Sequence, residues 1–158
     1  MTVDITILVG TMTGTAEIVA EEVQAALEAA GHSAAIAAMD SLDAHVFDRG
    51  SAFLIVTSTY GAGDVPDNAQ SFFAAIEGGR PALSHVSFGV IALGDRTYKG
   101  TYCEGGLKFG RLLSELGARR IGEPMLHDAS AGTMPEEIAA EWVVGWVEDH
   151  LAPALKAA

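Results

Sequence analysis

The segment Thr11-Met12-Thr13-Gly14-Thr15 sets threonine hydroxyls on either side of a glycine, directly after the apolar run Val3 to Val9 and directly before a helical pattern. Hydroxyls and backbone N–H groups at a helix N-terminus attract anions, because the first amides have no intrahelical partner and the helix dipole is positive there. The chemistry on offer is phosphate binding, and capping of the helix is the plainer use of the same residues. A nucleoside triphosphate site needs a lysine followed by Ser or Thr after a second glycine, whereas Gly14 leads into Thr15-Ala16-Glu17. The dinucleotide pattern G-x-G-x-x-G is absent as well.

Two further loops could act on the same ligand. Ser58-Thr59-Tyr60-Gly61-Ala62-Gly63-Asp64 follows the run Phe53-Leu54-Ile55-Val56, and Leu93-Gly94-Asp95-Arg96-Thr97-Tyr98 continues to Tyr102 and Cys103. Each pairs an aromatic side chain with glycines that let backbone approach a bound group closely. Tyrosines on two loops beside a phosphate cradle fit a flat aromatic ligand that carries a monophosphate and is held by stacking.

Other chemistries lack their residues. Phe109 stands six positions beyond Cys103, so the Cys-x5-Arg loop of a low-molecular-weight phosphatase is not formed. Thr57-Ser58 occupies the strand end where a phosphoacceptor receiver domain needs an aspartate. His32, His45, His85, His127 and His150 are scattered, which favours surface or loop positions over metal ligation. Cys103 is the only cysteine, so the chain has no internal disulfide and no thiolate cluster. Redox chemistry would have to come from a bound organic cofactor.

The loops need strands and helices to bring them together. Val3 to Val9 reads as a first strand, and Thr15 to Ala30 as a helix with Val19, Val23, Leu27 and Ala30 on one stripe and Gly31 as its stop. Ala34 to Ala38 is a second strand placed mainly by spacing, and Phe53 to Val56 is a third. Asp67 and Gln70 have capping-box spacing ahead of a helix over Asn68 to Glu77. Val86 to Leu93 is a fourth strand, followed by a helix with Leu107, Leu112, Leu113 and Leu116 inward and Gly117 at its end. Arg119 to Ile121, with Met125 to His127, is the fifth. Thr133 and Glu136 form another capping box around Pro135, before Ile138, Trp142 and Trp146 recur on a face that core packing explains.

Strands alternating with helices predict an α/β fold: a parallel sheet with right-handed crossovers and helices on both faces. In such folds ligands lie beyond the carboxyl ends of the strands, where strand order reverses, and order 2-1-3-4-5 puts that point between the first and third strands. The three loops all leave carboxyl ends near it.

The composition is globular, with 49% hydrophobic and 19% charged residues among 158, consistent with a single domain over 1-158. The longest uncharged stretch, Pro81 to Gly94, contains Ser84, His85 and Ser87 and is too short to span a bilayer. The N-terminal run has no basic segment ahead of it and no small-residue cleavage site, so a cytoplasmic location is expected. A net charge of −12 repels nucleic acid and anionic membrane and favours partners with basic faces.

These motifs together resemble the flavodoxin family, closest to the short MioC-type flavodoxins and the FMN domains of diflavin reductases. The matching segments are Gly10-Thr11-Met12-Thr13-Gly14-Thr15-Ala16-Glu17, Ser58 to Asp64 with Asp67-Asn68-Ala69, and Leu93-Gly94-Asp95 with Thr97-Tyr98. His127 to Thr133 leaves no room for the insertion that marks long-chain flavodoxins. Two positions depart from the pattern: Met12 replaces a more usual polar residue, and the third loop is one residue longer than in diflavin reductases.

The resemblance implies a flavodoxin-like three-layer sandwich with a five-stranded parallel sheet, binding FMN without a covalent bond. Residues Thr11, Met12, Thr13, Gly14 and Thr15 would hold the phosphate, Tyr60 would cover one face of the isoalloxazine, and Tyr98 would stack on the other. Ser58, Thr59, Gly61, Ala62, Gly63, Leu93, Gly94 and Asp95 complete the implied loops, with Tyr102, Cys103 and Asp128 as pocket wall and the Gly61-Ala62 peptide near flavin N5. The implied function is single-electron transfer between a flavodoxin- or ferredoxin-type NAD(P)H reductase and redox acceptor proteins, by a monomer. An FMN-dependent quinone or nitro-reductase and an FMN-binding regulatory protein share the same features and stay open. An acidic rim of Asp64, Asp67, Asp95 and Asp128 disfavours added negative charge, each charge ~10 Å away being worth on the order of 1 kcal/mol. A low-potential hydroquinone couple and a neutral semiquinone are therefore expected.

Overall fold

The computed structural model describes residues 1–11, 14–60, 63–98 and 100–157. The first strand, β1 (Asp4–Gly10), alternates its apolar side chains: Ile5, Ile7 and Val9 enter one core and Leu8 the other. A strand buried on both faces must be apolar at every position, and β3 (Ala52–Thr57) is buried throughout. Its Leu54 and Val56 join Ile5, Ile7 and Val9, while Phe53 and Ile55 join Leu8. β4 (Ser87–Gly94) repeats the arrangement.

β2 (Ser33–Ala38) is mostly exposed, yet it pairs with β1 from Asp4↔Ser33 to Val9↔Ala38. An edge strand needs only one covered face, which lets alanines occupy it. The sheet is parallel in the order β2-β1-β3-β4-β5. The fifth position is filled by two short pieces, β5 (Arg119–Arg120) and β6 (Met125–Asp128), both on β4. Gly122 at φ +71 and Pro124 break the run between them. The Trp146 indole N–H donates to the Ile121 carbonyl at 2.7 Å and so satisfies backbone that the break leaves unpaired.

One face of the sheet is covered by α1 (Thr15–Ala29) and α4 (Pro135–Trp146), through Val19, Val23, Leu27, Val143 and Trp146. Burial of such side chains contributes roughly 1.5–3 kcal/mol each. Trp146 lies so close to the sheet that a Cβ at Gly89 would stand 2.5 Å from its ring, so the pairing of a tryptophan with a glycine fixes the approach. Trp142 stacks on Trp146 at 5.6 Å, while Ile138 is left exposed. The chain continues from α4 through a π-helical turn (Val147–Leu151) into α5 (Ala152–Ala157).

The other face holds α2 (Asp67–Gly79) and α3 (Glu104–Glu115), with Phe72 and Phe109 stacked at 6.0 Å. Short 3-10 turns at Met39–Ser41 and Ala44–Arg49, which no periodicity marks, tuck Met39 and Phe47 into the same core. Both expected capping boxes are replaced. The N-cap of α2 is Pro66 and that of α4 is Met134; the Thr133 hydroxyl instead pairs with His127 Nε2 at 2.9 Å. Pro135 at the first position of α4 presets φ for the helix, and α2 begins directly after Pro66. Among the described residues, no helix is long and apolar enough to cross a membrane.

Candidate functional site

The carboxyl ends of β1, β3 and β4 meet at the same edge, with Gly10 beside Thr57 and Thr57 beside Ala92. Gly10 has no room for a side chain, since a Cβ there would stand 2.7 Å from Thr57 Oγ1. The loop after β1 is pinned at once: Thr11 N–H donates to Asn68 Oδ1 at 2.7 Å, and Gly14 N–H donates to Thr11 Oγ1 at 2.9 Å. Gly14, at φ +92, makes the left-handed step into α1 and, as its N-cap, has no side chain to offer. The N-terminus of α1 therefore faces this loop with a glycine as its cap, and helix N-termini of this kind attract anions. Met12 and Thr13 lie outside the described residues.

The loop after β3 is tied to its neighbours by Thr59. Its hydroxyl donates to the Leu93 carbonyl at 3.0 Å and accepts from Gly105 N–H at 3.1 Å, so it joins β3, β4 and the start of α3. Tyr60 and Asp64 then close a small hairpin through paired backbone bonds of 2.8 Å. Gly63 takes its turn at φ +99; Gly61 and Ala62 lie outside the described residues. Asp64 is also engaged by Lys108 Nζ at 3.1 Å.

A cavity of about 500 Å³ opens between these loops, lined by Thr15, Ser58, Thr59, Leu93, Gly94, Asp95, Tyr98, Thr101 and Ala129. That volume lies within the range of small-molecule sites. Ser58 Oγ is buried here with no hydrogen-bond partner among the described residues. A buried hydroxyl left unpaired costs about 1–3 kcal/mol, a cost that a polar partner at this wall would relieve. Tyr98 is 67% exposed and offers an aromatic face at the rim. The hydroxyls of Thr15 and Thr101, an exposed ring and a buried unpaired oxygen are a donor set that fits a ligand both aromatic and polar.

Of the residues singled out in the sequence, the cavity brings together Thr15, Ser58, Thr59, Leu93, Gly94, Asp95 and Tyr98. Thr11 and Gly14 sit behind Thr15 in the first loop, and Tyr60 and Gly63 belong to the adjoining hairpin. Tyr102, Cys103 and Asp128 are not on the lining. Cys103 is fully buried behind Gly94, with its thiol directed to the Ala92 carbonyl at 3.2 Å, and a Cβ at Gly94 would stand 2.4 Å from Cys103 N. Burial pushes that thiol's pKa up to about 11. Tyr102 lies under the Arg96 guanidinium, 4.8 Å from its ring centre, and burial raises its hydroxyl pKa. Asp128 accepts from Arg96 N–H and from Ser130, bonds that hold its carboxyl below the usual range.

Thr101, Ala129 and Asn68 were not picked from the sequence. Thr101 could have been found between the two tyrosines of its loop, and Asn68 lies in a segment already matched, but an alanine side chain carries no chemical signal. Among the described residues, no three His, Cys, Asp or Glu side chains gather to hold a metal ion.

The family model for Flavodoxin matches residues 7–142. The chain belongs to the flavodoxin family. It is therefore a flavin-binding electron-transfer protein, and the cavity lies at the strand ends where this fold receives its ligand. This flavodoxin is 41% identical over 143 residues to Flavodoxin YqcA of Escherichia coli strain K12, covering 90% of the chain and 95% of that protein. It is 36% identical over 147 residues to Protein MioC of the same strain, covering 91% and 96%. It also matches the sulfite reductase [NADPH] flavoprotein alpha-component of Bacillus subtilis at 36% over 143 residues, 90% of this chain and 23% of that one. Among solved structures, a cysteine-to-alanine mutant of flavodoxin from Pseudomonas aeruginosa superposes with TM-score 0.79 at 38% identity, covering 90% of this chain and 95% of the other.

Proposed function

We propose that this flavodoxin binds FMN in the cavity at the strand ends and serves as a one-electron carrier between a reductase and acceptor proteins. The observation that supports it most is the partnerless buried Ser58 Oγ, in the same wall as the exposed Tyr98 and the opening of α1. FMN would supply the redox chemistry, accepting and releasing electrons at its ring. The chain's residues bind and orient. Thr11, Gly14 and Thr15 would hold the phosphate at the N-terminus of α1, in a segment that includes Met12 and Thr13 by sequence. Ser58 offers its hydroxyl to a polar edge of the ligand, and Tyr98 and Tyr60 offer aromatic surface.

The lining has carboxylate Asp95 but keeps it occupied: Asp95 Oδ1 accepts from Thr97 N–H at 2.9 Å and from Thr97 Oγ1 at 2.6 Å. Partners are a flavodoxin- or ferredoxin-type NAD(P)H reductase and redox acceptors with basic docking faces, in keeping with the −12 charge.

Titration of the flavin-free chain with FMN and, separately, with riboflavin tests the site by flavin fluorescence. One FMN per chain, bound at least roughly tenfold tighter than riboflavin, is expected from the phosphate cradle. No FMN binding, or equal affinity for the two flavins, would contradict the assignment.

A further inference from the structure

β4 and β6 end side by side, with Gly94 paired to Asp128, and then part company. From β4 the chain enters the loop of Asp95 and Tyr98; from β6 it enters the turn Ala129–Ala131. Both segments line the cavity, through Asp95 and Tyr98 on one side and Ala129 on the other. Asp128 stands at the split. Its Oδ1 accepts Arg96 N–H at 3.0 Å from the first segment, and Ser130 N–H at 2.9 Å and Ser130 Oγ at 2.7 Å from the second. The Arg96 side chain turns back toward the same carboxylate, Nε to Oδ2 at 4.0 Å, and over the Tyr102 ring.

Among the described residues from Asp95 to Thr101, the other hydrogen bonds are short-range ones. Tyr98 N–H donates to the Asp95 carbonyl, Thr97 to the Asp95 carboxylate, and Thr101 to the Tyr98 carbonyl. They shape the loop but do not fix its position relative to the fold. The Arg96–Asp128 bond crosses to another element and does.

We propose that Asp128 is a positioning residue for the flavin site, its Oδ1 latching the Tyr98-bearing loop to the Ala129-bearing turn so that the two cavity walls keep a fixed separation. The proposal rests on the reading of this cavity as the FMN site. The important part is the acceptor rather than the charge, because an ion pair at 4.0 Å with a mostly exposed arginine contributes little. An asparagine keeps an oxygen at Oδ1 and should keep the latch; an alanine removes it. The latched bonds are exposed, so their loss frees the loop locally more than it lowers global stability.

The test compares Asp128→Ala, Asp128→Asn, Tyr98→Ala and the double variant Asp128→Ala/Tyr98→Ala in the full chain. FMN affinity and amide exchange of the flavin-free protein are measured for each. Asp128→Ala should weaken FMN roughly tenfold and speed exchange at Arg96 and Tyr98 by a similar factor, while Asp128→Asn stays within about threefold of the parent. Adding Asp128→Ala to Tyr98→Ala should cost little further affinity, because the first acts through the second. Additive losses in the double variant, an asparagine as impaired as the alanine, or unchanged exchange at Arg96 in Asp128→Ala would overturn the latch. Failure of the parent chain to bind FMN would defeat the cofactor assignment, and the exchange measurement would still decide the latch.

Discussion

Gly105, in the first turn of α3, packs directly on the Ser58 carbonyl: a Cβ at Gly105 would stand 2.3 Å from that oxygen and 3.1 Å from Thr59 Cα. Backbone cannot rotate away as a side chain can, so the helix and the cavity loop have one compatible spacing. Gly105→Ala should force them apart, destabilise the chain by roughly 1–3 kcal/mol, and weaken flavin binding more than its loss of Tm alone accounts for. Thermal melts with and without FMN check this. A variant with parental Tm and affinity would show that the contact yields freely.

Ser58→Ala should act in opposite directions on the two states. In the flavin-free protein it removes a buried hydroxyl with no partner, which should leave stability unchanged or raise it by up to about 1 kcal/mol. In the complex it would remove the hydrogen bond proposed between Ser58 and the ligand, and FMN should bind roughly tenfold more weakly. Denaturant unfolding and flavin titration of the same variant give both numbers.

Cys103 should remain an unreactive thiol through neutral pH. Burial raises its pKa from 9.0 to about 11, so the thiolate that attacks disulfide reagents is scarce in the folded protein. The sign for stability follows from the unfolded chain losing this proton first. The Cys103 contribution is intact below pH 9 and is lost as pH rises through about 11, where it amounts to about 2–3 kcal/mol. Unfolding curves from pH 7 to pH 11 for the parent and Cys103→Ala should converge as pH rises, and parallel curves would contradict the assignment.

Encounter with a basic reductase should slow as salt rises. Nine basic side chains against 21 acidic ones give an attraction that shortens in range as ionic strength grows. Stopped-flow reduction rates should fall by about an order of magnitude between ~10 mM and ~500 mM salt, and substitution of Asp64 and Asp95 by Asn should flatten that dependence. A rate independent of salt would argue that the acidic surface serves only solubility.

Much of the fold was legible because its signals are periodic. β3 and β4 are apolar at nearly every position, and Val19, Val23 and Leu27 of α1 are buried as their spacing implied, while Ala30, on the same expected stripe, caps the helix and is exposed. The capping boxes misled because a side chain at the right spacing can find a better partner: Thr133 has His127 within reach, a contact set by β6 and invisible in a local window. The broken fifth strand depends on Gly122 and on Trp146, which are 24 residues apart and meet through Ile121. At the site, residues with distinctive chemistry, such as Tyr98 and Ser58, could be named in advance. Whether a residue lines the cavity or stands behind it could not. Cys103 is turned inward by the left-handed φ of 57° at its own position, and Asp128 is engaged by Arg96 32 residues earlier in the chain.

An anaerobic reductive titration of the FMN-loaded protein, followed by visible absorbance with free FMN as control, separates one-electron from two-electron chemistry. A one-electron carrier should reduce in two separate one-electron steps, with a long-wavelength band from half-reduced flavin and a second step at lower potential than in free FMN. A single two-electron reduction with no such band, together with turnover of NAD(P)H and a quinone without added reductase, would contradict the carrier and point to a reductase instead.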